Sequence, residues 1–131
     1  MTEVTQAPEW FARWEKAMRG EASVGQRFLA EVDPQFMEGF VNFSLPLFGR
    51  EGTLISAETR EIVVITIQAV QGKWDSFRKH IQRAVEDGVP PKMIVEGLEL
   101  ASMSCGMGML FVAAEILAEE LEAAGKPIDG S

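Results

Sequence analysis

Tyrosine is absent from this 131-residue chain, and histidine and cysteine occur once each, as His80 and Cys105. Each scarcity excludes a class of chemistry. A single thiol can neither close an intramolecular disulfide nor form a dithiol redox centre. With one histidine and one cysteine, a zinc site would have to rest on carboxylates, and no pair of His or Cys residues stands at ligand spacing. The two Glu-x-x-His motifs of a dinuclear carboxylate bundle are missing, and so is the Gly-x-Ser-x-Gly elbow of a serine hydrolase. No metal and no cofactor are therefore expected. Basic residues are also few, 12 Lys and Arg against 20 Asp and Glu, for a net charge of −8. That balance repels phosphate backbones and anionic lipid heads, which argues against nucleic acid and membrane surfaces as partners. No apolar run approaches the roughly 20 residues needed to cross a bilayer. The opening stretch MTEVTQAPEWFARWEK has neither the basic start nor the apolar core of a signal peptide, so a cytoplasmic location is expected.

What is present is ordinary for a folded chain. Hydrophobic residues make up 47% and charged residues 24%, and the length suits one domain over residues 1–131. Gly and Pro punctuate a series of helical patterns. Pro8 and Glu9 open a helix over about 8–20 that carries Trp10, Trp14, Ala17 and Met18 at helical spacing, with Gly20 as its stop. Two tryptophans on a terminal helix need cover, and an interface between copies is the expected place for it. Asp33 and Pro34 start a second helix with Phe36, Met37, Phe40 and Val41 as its apolar face, ended by Pro46 and a loop over Gly49–Thr53.

Ser56 caps a third helix. Its run Ile62-Val-Val-Ile-Thr-Ile67 favours a strand by propensity, but length, cap and the lack of a partner strand favour a buried helix. After Gly72, Trp74, Phe77, Ile81, Ala84 and Val85 keep helical spacing as far as Gly88. Pro90 and Pro91 open a helix with Met93, Ile94, Leu98 and Ala101 inward, and a last helix runs from about Met109 to Ala124. The fold class is all-α. Between those two helices, Ala101 to Gly108 alternates small residues with methionines, which reads either as tight helix packing with Met filling gaps or as room left for a ligand.

His80 shares one helical stripe with Lys73 and Ser76, beside the apolar stripe, and so sits at the edge of the core. Glu61 lies on the preceding helix, which should run antiparallel through the Gly72 turn. Counted from that turn, the two residues are offset by about 4.5 Å at 1.5 Å per residue, under one helical turn. A carboxylate bonded to an imidazole fixes its tautomer and raises its basicity, which suits general acid–base work; a surface histidine satisfies the same spacing. A Cys105–His80 nucleophilic pair also stays open, although a thiol in an apolar helix is more often an inert core residue.

The stretch Leu54-Ile-Ser-Ala-Glu-Thr-Arg-Glu61, the apolar helix after it, His80 and Ala84-Val-Glu-Asp-Gly-Val89 resemble the carboxymuconolactone decarboxylase family, part of the alkylhydroperoxidase-like superfamily. The resemblance runs from about Asp33 to Leu121 and is strongest in Thr59-Arg60-Glu61 and from His80 to Glu96. It implies an all-helical fold built around a helical hairpin, assembled as trimers or hexamers with pockets near subunit interfaces. The peroxidase branch carries a glutamate, then Cys-x-x-Cys, then a histidine after three residues. Glu61 and His80 match its ends, but Lys73 and Ser76 stand at the cysteine positions, which argues against peroxidase activity. The decarboxylase branch also lacks that pair and keeps the histidine. Its pattern of an aromatic, a small residue, Gly, any residue and Pro is replaced here by Ser104-Cys-Gly-Met-Gly108, which implies a reshaped pocket.

Two functions follow as expectations. One is a cofactor-independent lyase (decarboxylase) or isomerase that moves a proton on a small organic acid or lactone, with His80 as acid–base and Glu61 orienting it. Lys73 and Ser76 would hold the substrate carboxylate, with Arg60 and Cys105 completing the substrate-contact set. Arg60, Lys73, Arg78 and Lys79 form a local basic exception that suits an anion. The other is a non-catalytic small-molecule-binding or assembly subunit of the same fold. Both are expected as homo-oligomers.

Overall fold

The structure, a computed structural model, describes residues 8–48 and 53–128. All regular elements among them are helical. Most of the loop expected over Gly49–Thr53 lies outside the described residues. The chain forms two compact units, Met1–Thr53 and Leu54–Ser131.

The first unit holds α1 (Glu9–Met18), α2 (Val24–Val32), α3 (Pro34–Ser44) and a 3-10 turn, Leu45–Phe48. Arg19 takes the left-handed conformation (φ 60°) and closes α1 one residue before the expected glycine. The α2 helix, not among the helices expected from the sequence, begins with a reciprocal cap. Gln26 N donates to Ser23 Oγ at 3.1 Å, and Ser23 N donates to Gln26 Oε1 at 2.7 Å. Asp33 ends α2 and caps α3 by accepting from Phe36 N at 3.2 Å, with Pro34 as the first helical residue. The core of this unit is Phe11, Trp14, Met37 and Val41, with Trp10 packed on its edge. Trp14 is thus buried in its own chain rather than waiting for a partner. The expected apolar face of α3 also divides: Met37 and Val41 point inward while Phe36 and Phe40 are exposed. Residues four apart share a side, so the expected face is two neighbouring stripes, 37/41 and 36/40, of which only the first is buried.

The second unit holds α4 (Ala57–Val70), α5 (Trp74–Glu86), α6 (Pro91–Cys105) and α7 (Met107–Ala123). The β-branched run of Ile62–Ile67 is helical, as length and cap suggested. Thr59 N donates to Ser56 Oγ at 3.0 Å. Its core includes Ile65, Phe77, Ile81, Ile94 and Leu98, all nearly sealed from water. Each such side chain contributes about 1.5–3 kcal/mol by burial. The α4 helix packs on α5 and α6, and both of these pack on α7. The α4–α6 crossing is close because Gly97 has no side chain there: a Cβ at that position would meet Ile62 Cγ2 at 2.9 Å. The α5–α7 contact is tied by Arg78, which donates to Glu120 at 2.8 Å and to Glu119 at 3.1 Å.

The helix break near 105 differs from its expected role. The α6 helix runs through Cys105, Gly106 turns the chain at φ 84°, and α7 starts at Met107, two residues earlier than predicted. Met103, Cys105 and Met107 are exposed, so neither methionine fills a gap within the chain and the thiol is not a core residue. At its two ends the chain does meet the core: Ala101 packs against it half-buried, and Met109, just past the segment, is buried in it. Met93, expected inward on α6, is exposed instead, while Ile94 and Leu98 take the inner side.

Candidate functional site

Glu61 stands on the second turn of α4 and His80 in the middle of α5. Gly72, at φ 68°, reverses the chain between them in a conformation that side chains disfavour. His80 Nδ1 lies 3.0 Å from Glu61 Oε1. The side chains keep 11% and 17% of their surface in contact with water, so the pair is largely shielded and somewhat deeper than the core edge the sequence suggested. A carboxylate can only accept. Nδ1 therefore carries the proton in this contact, and in the neutral ring Nε2 is left with its lone pair. Nε2 has no hydrogen-bond partner among the described residues and is not among the polar atoms sealed from solvent. Chemically, this is an oriented base, or in its protonated form an acid, whose second ring nitrogen is unpartnered among the described residues and not sealed from solvent.

The other expected residues are less concentrated. Lys73 directly precedes α5, is exposed, and makes no side-chain cap there. An ammonium has no acceptor to offer, so the first N–H groups of α5 are left without a capping side chain from Lys73. The half-buried Ser76 lies in the first turn of α5. Arg60 neighbours Glu61 and donates to Ile55 O at 3.4 Å. Cys105 lies at the end of α6, and neither it, Lys73 nor Ser76 hydrogen-bonds to Glu61 or His80 among the described residues. The basic exception loses one member. Arg78 is engaged on α7, where its bonds to Glu120 and then Glu119 push its guanidinium above its ordinary range.

One polar group escaped the sequence reading. Gln68, seven residues after Glu61 and so on the same side of α4, has its Oε1 buried without a partner. Its i+7 spacing from Glu61 was the available signal. Among the described residues, no three His, Cys, Asp or Glu side chains come together as metal ligands. No helix there is long and apolar enough to cross a membrane.

These features define an all-helical protein with a shielded carboxylate–imidazole pair between two neighbouring helices. The family comparison is specific: the model of the carboxymuconolactone decarboxylase family matches residues 34–119, from the first residue of α3 into α7. The chain belongs to that family. Searches of the curated proteins and of the solved structures each found no match.

Proposed function

We propose that this chain is a proton-transfer enzyme, a decarboxylating lyase or an isomerase, acting without a cofactor on a small organic acid or lactone. The observation that carries the proposal is the 3.0 Å contact from His80 Nδ1 to Glu61, which leaves Nε2 free. In decarboxylation, the C–C bond to the carboxylate breaks, CO₂ leaves, and the electron pair stays on carbon as an enolate or its equivalent. That carbon takes its proton from Nε2–H of the His80 imidazolium. In isomerisation, Nε2 removes a proton from one carbon and returns it to another. The ring is thus a cation before it protonates carbon in the first reaction and after it takes a proton in the second, and Glu61 stabilises that cation at close range. Lys73 and the uncapped N-terminus of α5 offer positive charge for a substrate carboxylate, because a helix start carries partial positive charge. Ser76, Arg60 and Cys105 are the remaining proposed contacts.

The test is turnover of a panel of lactones, dicarboxylates and aromatic acids, read as CO₂ release or as solvent deuterium entering product. His80→Ala should lower turnover by about two to four orders of magnitude. Unchanged kinetics in that variant would sink the mechanism. Binding without conversion across the panel would favour a small-molecule-binding subunit. The proposal also includes assembly as a homo-oligomer, supported by exposed large apolar side chains on several helices.

A further inference from the structure

The α3 helix has a second apolar stripe beside the one it buries, about 100° around the helix, with the Phe40 ring reaching the edge of Trp14 at 5.9 Å between centroids. Phe36, Phe40 and Phe43 on α3, and Leu47 on the 3-10 turn that continues it, follow each other at intervals of 4, 3 and 4, and they are 65%, 41%, 73% and 48% exposed. That spacing is the seam with which one helix packs along another. It also reads the same in both directions about the point between Phe40 and Phe43. A stripe with that symmetry is complementary to its own reversed copy: Phe36 would meet Leu47, and Phe40 would meet Phe43.

The α2 helix packs along α3, and none of its residues is buried. Val24, Phe28 and Val32 recur on it every four residues, each more than half exposed. Taking about 150–250 Å² for each aromatic ring and somewhat less for each aliphatic side chain, these seven residues expose on the order of 800 Å², near what one partner contributes to a stable interface. The stripe carries no charge. The charges on α2, α3 and the Asp33 between them are Arg27, Glu31, Asp33 and Glu38, an acidic surround that repels anionic lipid heads.

We infer that the α2–α3 face is a two-fold interface between copies of this chain, with the α3 seams antiparallel. This specifies the self-association included in the functional proposal and is independent of the chemistry at His80. Its test reads mass and the test at His80 reads turnover, so the two fail separately. The purified full-length protein is weighed in solution by light scattering or sedimentation equilibrium. The wild type should have an even number of subunits, and Phe43→Glu should have half as many while keeping its helical circular dichroism. An odd-numbered or monomeric wild type overturns the inference, and so does a Phe43→Glu protein of unchanged mass. A second pair of variants guards against simple misfolding. Phe40→Glu and Phe43→Lys, each reduced in mass alone, should regain the wild-type mass when mixed, because the seam sets residue 40 of one copy against residue 43 of the other. No recovery on mixing overturns the antiparallel pairing.

Discussion

His80 Nδ1 and Glu61 Oε1 lie 3.0 Å apart across two helices, although 19 residues separate them in the chain. The contact fixes which ring nitrogen carries the proton. Glu61→Gln keeps size and hydrogen-bonding capacity but can offer an N–H where an acceptor is needed. The ring can then turn its lone pair to Nδ1 and present a proton at Nε2, and the imidazolium loses its counter-charge. Turnover in Glu61→Gln should fall by about two to four orders of magnitude, with substrate affinity little changed. The check is kcat and KM measured separately beside wild type. A variant that keeps its kcat would show that Glu61 does not govern the ring.

Lys73 tests the other end of the proposed site. It lies seven residues before His80, about 10 Å along the helix at 1.5 Å per residue, which suits a group that binds a carboxylate away from the reacting carbon. Lys73→Met preserves the stem and removes the charge. It should raise KM by about tenfold, the loss of one modest charge-assisted contact, and leave kcat within a few-fold. Raising salt should narrow the gap between the two proteins, because the ammonium is exposed. A fall in kcat with unchanged KM would instead place Lys73 at the reacting atoms.

Much of this architecture was legible because local signals agreed with each other. Asp33 before Pro34, Ser56 before an acidic first turn, Gly72 between helices and the Pro90–Pro91 start each fix a boundary through one backbone requirement. The α2 helix, absent from the sequence expectation, carries two local signals of its own, the capping box in Ser23-Val-Gly-Gln26 and Val24, Phe28 and Val32 at helical spacing; that none of its residues is buried was not readable from either. Periodicity shows that Phe36 and Phe40 share a side with each other, but not whether that side meets the core. For the same reason the exposure of Met103 and Cys105 was not readable, since burial depends on what lies opposite. Glu61 and His80 could be brought together on paper because a single tight turn joins their helices. The partners of Arg78 could not, since Glu119 and Glu120 lie some forty residues away on α7 and no local rule links them.

Arg78 joins α5 to α7 through two carboxylates, and Gln82 donates to Glu120 as well, at 3.2 Å. Arg78→Ala should lower the melting temperature, and Arg78→Lys should restore only part of it, since an ammonium lacks the planar fork that reaches two acceptors. The loss should shrink at high salt, because the Arg78 side chain is a third exposed. The carboxylates raise the guanidinium's pKa, so its contribution is fully present below its ordinary range and is lost only as pH rises through the raised value. On the arginine's account, then, the difference between the proteins is flat through neutral and mildly alkaline pH. Equal melting temperatures at low salt would show that the pairs add nothing to the α5–α7 contact.

Gly97 decides how closely α6 approaches α4, and through α4 it reaches the candidate site. A methyl group there would come within 2.9 Å of Ile62 Cγ2 and 3.3 Å of Thr66 Oγ1. Neither atom yields easily. Ile62 Cγ2 sits on a branched carbon with restricted rotation, and Thr66 Oγ1 is held by its 2.8 Å donation to Ile62 O. Alanine is the better helix former by about 1 kcal/mol, while overpacking costs about 1–3 kcal/mol. The net expectation for Gly97→Ala is a loss on the order of 1 kcal/mol, or roughly 3–5 °C in melting temperature for a chain of this size. Ile62→Ala removes the obstructing methyl, so in that background Gly97→Ala should become neutral or stabilising. The two changes should therefore couple by about 1 kcal/mol or more in a double-mutant cycle. Glu61 immediately precedes Ile62, so a helix pushed away at this crossing carries the carboxylate with it. Gly97→Val, which demands more space, should lower turnover more than Gly97→Ala does, in step with stability. If the two substitutions at Gly97 and Ile62 act additively, the crossing is looser than the distances describe and Gly97 has no hold on the site.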